Sequence, residues 1–179
     1  MTNDVRDKNS KISVVLSFWN EADVLGELAD RLVAMFEKEG CPYELIFVND
    51  ASNDDSLSIL KKRAEENTSI KIVDMSRNFG VSECVLAGME HASGDAVVYM
   101  DTDLQDPPEV IPELIAKWRE GADMVFTRRL SRDGETAYRM AFTKLAYKII
   151  NKVSEIELPT EAGDFRLLSR RAVDQLLAL

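Results

Sequence analysis

A chain of 179 residues with 45% apolar and 30% charged side chains has the balance of a folded globular domain. It is long enough to bury a core without disulfides or a structural metal. Its formal net charge of −10 argues against a protein that coats DNA or RNA, which needs a basic surface. A phosphate-bearing substrate stays open, since a local basic site or a bound cation can invert the field.

Short apolar runs alternate with helical patterns along the chain. ISVVLSF (12–18) reads as a buried strand. A helix over about 22–39 follows, with Leu25, Leu28, Ala29, Leu32, Val33 and Phe36 on one stripe. YELIFVN (43–49) is a second strand, followed by a helix over about 54–66; IKIVDM (70–75) is a third, leading into a helix over about 80–91. DAVVYMD (95–101) is a fourth strand with a helix over about 109–119 after it, and ADMVFT (122–127) is a fifth. Strands alternating with helices of this length predict βαβ units around a largely parallel sheet. The expectation is one α/β domain over 11–179 behind a polar, frayed terminus, MTNDVRDKNS, over 1–10. Cys41 and Cys84 show no metal-type or redox-type spacing and read as reduced small hydrophobes of a cytosolic protein. The apolar runs are strand-sized, so no transmembrane helix is expected in these residues and the chain reads as soluble.

After Thr127 the composition changes. Residues 128–152 carry seven basic side chains against two acids, a net of +5 that leaves −15 for the remainder. From Glu135 onward the spacing predicts a helix with Met140, Ala141, Leu145, Ile149 and Val153 along one side. Spacing alone favours a solvated basic face on a core helix over a surface that meets anionic lipid.

In an open parallel sheet, ligands collect at the carboxyl ends of the strands. Those ends carry Phe18-Trp19-Asn20-Glu21, Asn49-Asp50-Ala51-Ser52, Ser76-Arg77-Asn78-Phe79-Gly80 and Asp101-Thr102-Asp103-Leu104-Gln105. Carboxylates and amides dominate, and neither GxGxxG nor GxxxxGK[ST] occurs. Asp101 and Asp103, with the Gln105 amide oxygen, offer hard oxygen donors to Mg²⁺ or Mn²⁺. Asp106-Pro107-Pro108 forces a turn directly after them. The competing reading is a solvated acidic turn or helix cap. Asp50, Ser52 and Asp54 suit a base or ribose, although Ser52 or Asn53 equally suits a helix cap. Arg77 and Asn78 either lock their loop or contact a donor.

SFWNEADVL, IFVNDASNDDS, SRNFGVSECVLAGMEHASGDAVVYMDTDLQDPPEVIPELIAKW and GDFRLLSRRAV together resemble the family 2 glycosyltransferases of the GT-A fold. More closely, they resemble the branch that transfers sugars to polyprenyl phosphate, the dolichyl- and bactoprenyl-phosphate glycosyltransferases. The resemblance spans about residues 12–174. It implies a Rossmann-like three-layer αβα domain with a mostly parallel sheet. It also implies a metal and diphosphate site at Asp101, Asp103 and Gln105, and a nucleotide-sugar pocket holding Phe18, Asn20, Glu21, Asp50, Ser52, Arg77, Asn78, Asp101 and Thr102. Arg129 and Arg132 match arginines that meet phosphate, and Arg166 matches the acceptor side. Asp164 matches the candidate catalytic acid/base, and Arg129 and Arg132 join it as catalytic candidates. Departures are Ser17 for the usual proline, Trp19 for tyrosine, and Asn49 and Ala51 for the Asp and Gly of VDDGS. Members of the branch usually continue past this point with further catalytic chain and transmembrane helices.

The implied function is inverting, metal-dependent transfer from a nucleotide sugar, UDP-glucose foremost, to a polyprenyl phosphate at the cytoplasmic face of a membrane. The chain would be peripheral there, and the basic segment would face anionic lipid; a homo-oligomer is left open, and no nucleic-acid partner is expected. A phosphate monoester has its second pKa at about 6, so the acceptor is already ionised and Asp164 is expected to orient more than to deprotonate. Two other readings stand beside this one. The first is a noncatalytic nucleotide-sugar or partner-binding module, and the weaker second is a nucleotidyltransferase, whose glycine-rich opening loop is absent. His91 reads as a surface or capping residue, and Trp118 as core or interface.

Overall fold

A computed structural model describes residues 6–128 and 162–179. The chain divides into two compact units, Met1–Val125 with Asp164–Leu179, and Phe126–Gly163. In chain order the elements are β1 (Ile12–Phe18), α1 (Ala22–Glu39), β2 (Tyr43–Asn49), α2 (Ser56–Glu66), β3 (Ile70–Asp74), α3 (Val81–His91) and β4 (Ala96–Tyr99). A 3₁₀ turn (Pro108–Val110) then leads into α4 (Ile111–Arg119), β5 (Met124–Arg128), β6 (Ala162–Ser169) and α5 (Arg170–Leu177). The strands form one six-stranded sheet in the order β3-β2-β1-β4-β6-β5. β1 pairs in parallel with β2 and β4, β2 pairs in parallel with β3, and β6 runs antiparallel to β4.

The strand sequences explain the layering. Every residue of β1 is buried, as expected of a central parallel strand covered on both faces. Its side chains alternate between two cores. Val14 and Leu16 join Phe47, Phe36, Leu28, Leu32, Leu60 and Trp118 beneath α1, α2 and α4. Val15 joins Val48, Val97, Cys84, Met89 and Val173 beneath α3 and α5. The expected three-layer αβα arrangement with a mostly parallel sheet is therefore present. α1 buries the predicted stripe and adds Met35, while Val33 lies at its margin.

Helix α3 lies close against the sheet because residue 88 is glycine. A Cβ there would run into Val15 Cγ1 and lie 3.1 Å from Val48 Cγ2. Its far end is held by Arg170, whose guanidinium donates to the Ala92 and Gly94 carbonyls at 2.9 and 2.7 Å. Part of the polar terminus is anchored as well. Arg6 donates to the carbonyls of Trp118 (2.9 Å) and Ala122 (2.8 Å) and pairs with Asp123. Both cysteines are free and buried. Burial pushes their thiols up, that of Cys84 to about 12 with the Asp50 carboxylate adding to the effect. Among the described residues no helix is long and apolar enough to cross a membrane. The helix expected from Glu135 and the basic stretch beyond Arg128 lie outside the described residues; Arg128 itself ends β5.

Candidate active site at the carboxyl edge of the sheet

The parallel register aligns the ends of three strands: Phe18 stands opposite Asn49, and Asn49 opposite Asp74. The connections leaving β1, β2 and β4 therefore open on one edge. A cleft of about 300 Å³ lies there, walled by Ser17, Phe18, Trp19, Glu21, Asp50, Val81, Asp101, Thr102 and Asp103.

The connections are stitched to each other. Asn20 takes a left-handed backbone, φ 57°; its main-chain N–H donates to Ser52 Oγ (3.0 Å), and its Oδ1 accepts from the Asn53 N–H (2.9 Å). The N–H of Glu21 donates to Ser56 Oγ at 2.9 Å, and that of Ala22 to Asp54 at 3.2 Å. Asn49 donates to Asp74 (2.8 Å) and accepts from the Ser52 N–H (3.0 Å). Asn20, Ser52 and Asp54 thus hold the β1–α1 and β2–α2 loops together. The cleft wall does not include them.

Five of the nine residues expected to meet a nucleotide sugar do wall the cleft: Phe18, Glu21, Asp50, Asp101 and Thr102. Thr102 is buried and donates to the Ser17 carbonyl at 3.4 Å. Asp101 accepts from the Tyr99 hydroxyl at 2.9 Å. Arg77 stacks its guanidinium 4.0 Å from the Phe79 ring, and Asn78 reaches the Asp50 carbonyl at 3.4 Å; both lie outside the wall. Of the three expected metal ligands, Asp101 and Asp103 face the cleft and Gln105 does not. The Gln105 N–H instead donates to Asp103 at 3.0 Å, and Leu104 between them has φ 58°.

Ser17, Trp19 and Val81 wall the cleft outside the expected site set, and of these the sequence reading missed Val81 altogether. Its position one residue after Gly80, at the start of α3, was the available signal. Trp19 also contributes and remains 54% exposed.

The cleft is acidic. Burial pushes the Glu21 carboxyl up, and the negative charges of Asp103, Asp54 and Asp23 push it further. Among the described residues no three His, Cys, Asp or Glu side chains are gathered into a metal cage. The donor chemistry nevertheless fits a hard divalent cation. Two carboxylates of one short loop, Asp101 and Asp103, face a cleft where the Glu21 carboxyl is held high by burial and by the charge of Asp103. Mg²⁺-type sites commonly use one or two carboxylates and complete the shell with substrate phosphates.

β6 brings Arg166, expected on the acceptor side, opposite Tyr99. Because β6 is antiparallel to β4, its earlier residues, Asp164 among them, run toward the end of β4 that Asp101 follows. Arg129 and Arg132 lie outside the described residues. Trp118 is fully buried and belongs to the core, and His91 Nδ1 sits 2.8 Å from the Ala87 carbonyl at the end of α3.

Known proteins place the chain. It is 44% identical over 169 residues to an uncharacterized glycosyltransferase of Synechocystis sp., covering 94% of this chain and 53% of the relative. It is 38% identical over 169 residues to the bactoprenol glucosyl transferase of Shigella phage SfV, covering 94% and 55%. The chain thus spans about half the length of these curated relatives. Among solved structures, glucosyl-3-phosphoglycerate synthase from Mycobacterium tuberculosis, in complex with Mn²⁺, UDP and phosphoglyceric acid, aligns with a TM-score of 0.67 at 21% identity, over 94% of this chain and 58% of that one. Mannosyltransferase PcManGT from Pyrobaculum calidifontis, in complex with GDP-Man and Mn²⁺, aligns with a TM-score of 0.64 at 17% identity, over 96% and 48%. These likenesses establish the GT-A fold. The glycosyl transferase family 2 profile matches residues 13–177, so the chain belongs to that family.

Proposed function

We propose that this chain is the nucleotide-sugar-binding catalytic part of a glycosyltransferase that passes a sugar, glucose from UDP-glucose foremost, to a polyprenyl phosphate with inversion. The observation that carries the reading is the cleft at the carboxyl edge of the sheet, whose wall brings together Asp101, Asp103, Glu21 and Asp50. The bactoprenol glucosyl transferase relative supports the lipid acceptor, and the folds solved with Mn²⁺ support a divalent ion, Mg²⁺ or Mn²⁺. Asp101 and Asp103 would hold that ion, with Gln105, which lies outside the cleft wall, as the third expected ligand. When bound, it supplies positive charge against the diphosphate leaving group.

The chain's own residues do the rest. Phe18 and Thr102 shape the cleft floor, and the exposed ring of Trp19 offers an apolar face at its rim. Asn20 and Ser52 keep two donor-side loops in register. Arg77 and Asn78 are assigned to the donor side through their loop. Arg129, Arg132 and Arg166 are assigned to the acceptor phosphate, which charge-assisted hydrogen bonds would align for attack. Asp164 orients an acceptor that already carries its charge. The basic segment would face anionic lipid on the cytoplasmic side of the membrane.

The test is calorimetric titration of UDP and GDP with and without Mn²⁺. Asp103→Ala is expected to abolish the Mn²⁺-dependent part of binding and leave the circular dichroism spectrum unchanged. Wild-type affinity in that variant would sink the assignment. A noncatalytic binding module predicts donor binding with no transfer from radiolabelled UDP-glucose to polyprenyl phosphate.

A further inference from the structure

Asp50 is the acid that both the motif and the cleft bring forward, yet most of its hydrogen-bonding capacity is spent within the protein. Oδ1 accepts from the Phe79 N–H at 2.7 Å, and Oδ2 accepts from the Gly80 N–H at 3.0 Å. Its own N–H donates to the Phe18 carbonyl at 2.9 Å, and its carbonyl accepts from Asn78 at 3.4 Å. The residue is 5% exposed. Four bonds therefore join the ends of β1 and β2 to the connection that enters α3.

The geometry of that connection is specific to a carboxylate. Two successive amides point at one side chain because Gly80 has φ 102°, a conformation that side-chain-bearing residues avoid. An asparagine would turn an NH₂ group toward one of the two amides and leave it unpaired. The carboxylate also lies at the first turn of α3, where the helix dipole favours negative charge, and the buried Cys84 sits one turn in. Burial, with the Asp50 carboxylate adding to it, keeps that thiol protonated. A carboxylate offers about four lone-pair sites, and the two amides take one on each oxygen. The residue after the clamp is Val81, which walls the cleft and is 57% exposed.

We propose that Asp50 is a positioning residue: it clamps the Phe79–Gly80 turn and thereby sets the place of Val81 and the start of α3 in the donor cleft. This rests on the donor-site reading above and deepens it. Asp50 governs nucleotide affinity mainly through the turn it holds.

Two measurements test this. In nuclear magnetic resonance spectra of the wild type, the amide protons of Phe79 and Gly80 should titrate together with the Asp50 carboxyl carbon; amides that ignore that titration overturn the clamp. For function, the affinity for UDP with Mn²⁺ is measured in Asp50→Asn, Gly80→Ala and the double variant. Each single change is expected to weaken binding about tenfold, and the double variant no further than the weaker single, the signature of coupled sites. Multiplying losses would mean that Asp50 contacts the nucleotide directly and would overturn the proposal. Rescue of affinity in Asp50→Glu above Asp50→Asn would support it. A wild type that binds neither UDP nor GDP would overturn the donor-site reading, and the amide titration would then decide the clamp by itself.

Discussion

At position 49 an amide faces a carboxylate. Asn49 donates to Asp74 Oδ1 at 2.8 Å and accepts from the Ser52 N–H at 3.0 Å, so it needs a donor on one side and an acceptor on the other. Aspartate, which the family pattern leads one to expect here, could make only the second bond. Asn49→Asp would set two carboxylates together and is expected to cost about 1–3 kcal/mol. Urea unfolding measures the loss, and adding Asp74→Asn should recover much of it. Ala51, two residues on, occupies a left-handed backbone at φ 57° where the family pattern has glycine. Both departures were visible in the sequence, but their consequences were not. Asn49 answers to Asp74, which is distant in the chain and adjacent only once β2 and β3 pair.

The elements were largely legible because their patterns are local. The bounds of β1, β2 and α1 coincide with the expected ones. β4 is shorter than expected: it ends at Tyr99, and Asp101 stands in the connection that walls the cleft. α4 is preceded by a 3₁₀ turn at Pro108–Val110, where prolines withhold backbone donors. β6 and α5 were not anticipated as elements. AGDFRLLS mixes Asp164 and Arg166 among its apolar residues and lacks β-branched side chains, so its strand character comes from pairing with β4. α5 has eight residues, too few to display a clear period. α3 shows the reverse: its helix was plain, but its depth against the sheet depends on one residue. Gly88→Ala would force a methyl into Val15 and Val48, and overpacking of this kind costs about 1–3 kcal/mol. The expected outcome is a lower unfolding midpoint together with weaker nucleotide binding, because the start of α3 walls the cleft.

Among the described residues, two groups of charge mark the two ends of the parallel strands. The carboxyl edge of the sheet concentrates Glu21, Asp101 and Asp103 around the cleft. Near the amino ends of the strands, Glu44 is 1% exposed and fully paired. It accepts from Lys11 (2.8 Å), Lys71 (2.6 Å), Ser13 Oγ (2.6 Å) and the Ser93 N–H (2.7 Å). Burial pushes the Glu44 carboxyl up, but the bonds from Lys11, Lys71, Ser13 and Ser93 outweigh it and hold the group well below the usual carboxylate range. A depressed folded value means that this stabilisation is fully present above the unfolded value, about 4.3, and fades as pH falls below it. Glu44→Gln should therefore be much less stable than the wild type near neutral pH, by about 2–4 kcal/mol. The gap should narrow on titration to about pH 3, as read from urea midpoints. None of this network was apparent in the sequence, where Glu44 is one acid among 32. The site was legible to the extent that strand ends define it. Which residues wall the cleft and which brace its loops emerged only from the pairing.

The antiparallel strand β6 has a consequence for how the chain is made. It occupies the place beside β4, yet it is translated roughly sixty residues later, a delay of about 3–12 s at about 5–20 residues per second. For that interval the nascent molecule has β4 with one side unpaired, and the apolar Val97 and Val98 lack the cover of Leu167 and Leu168. Ribosome-stalled chains ending at residue 128 are expected to bind trigger-type chaperones and to be cut readily by protease, while chains stalled with residue 179 well clear of the exit tunnel resist. The cleft wall, built from residues 17–103, would then be in place before β6 joins the sheet.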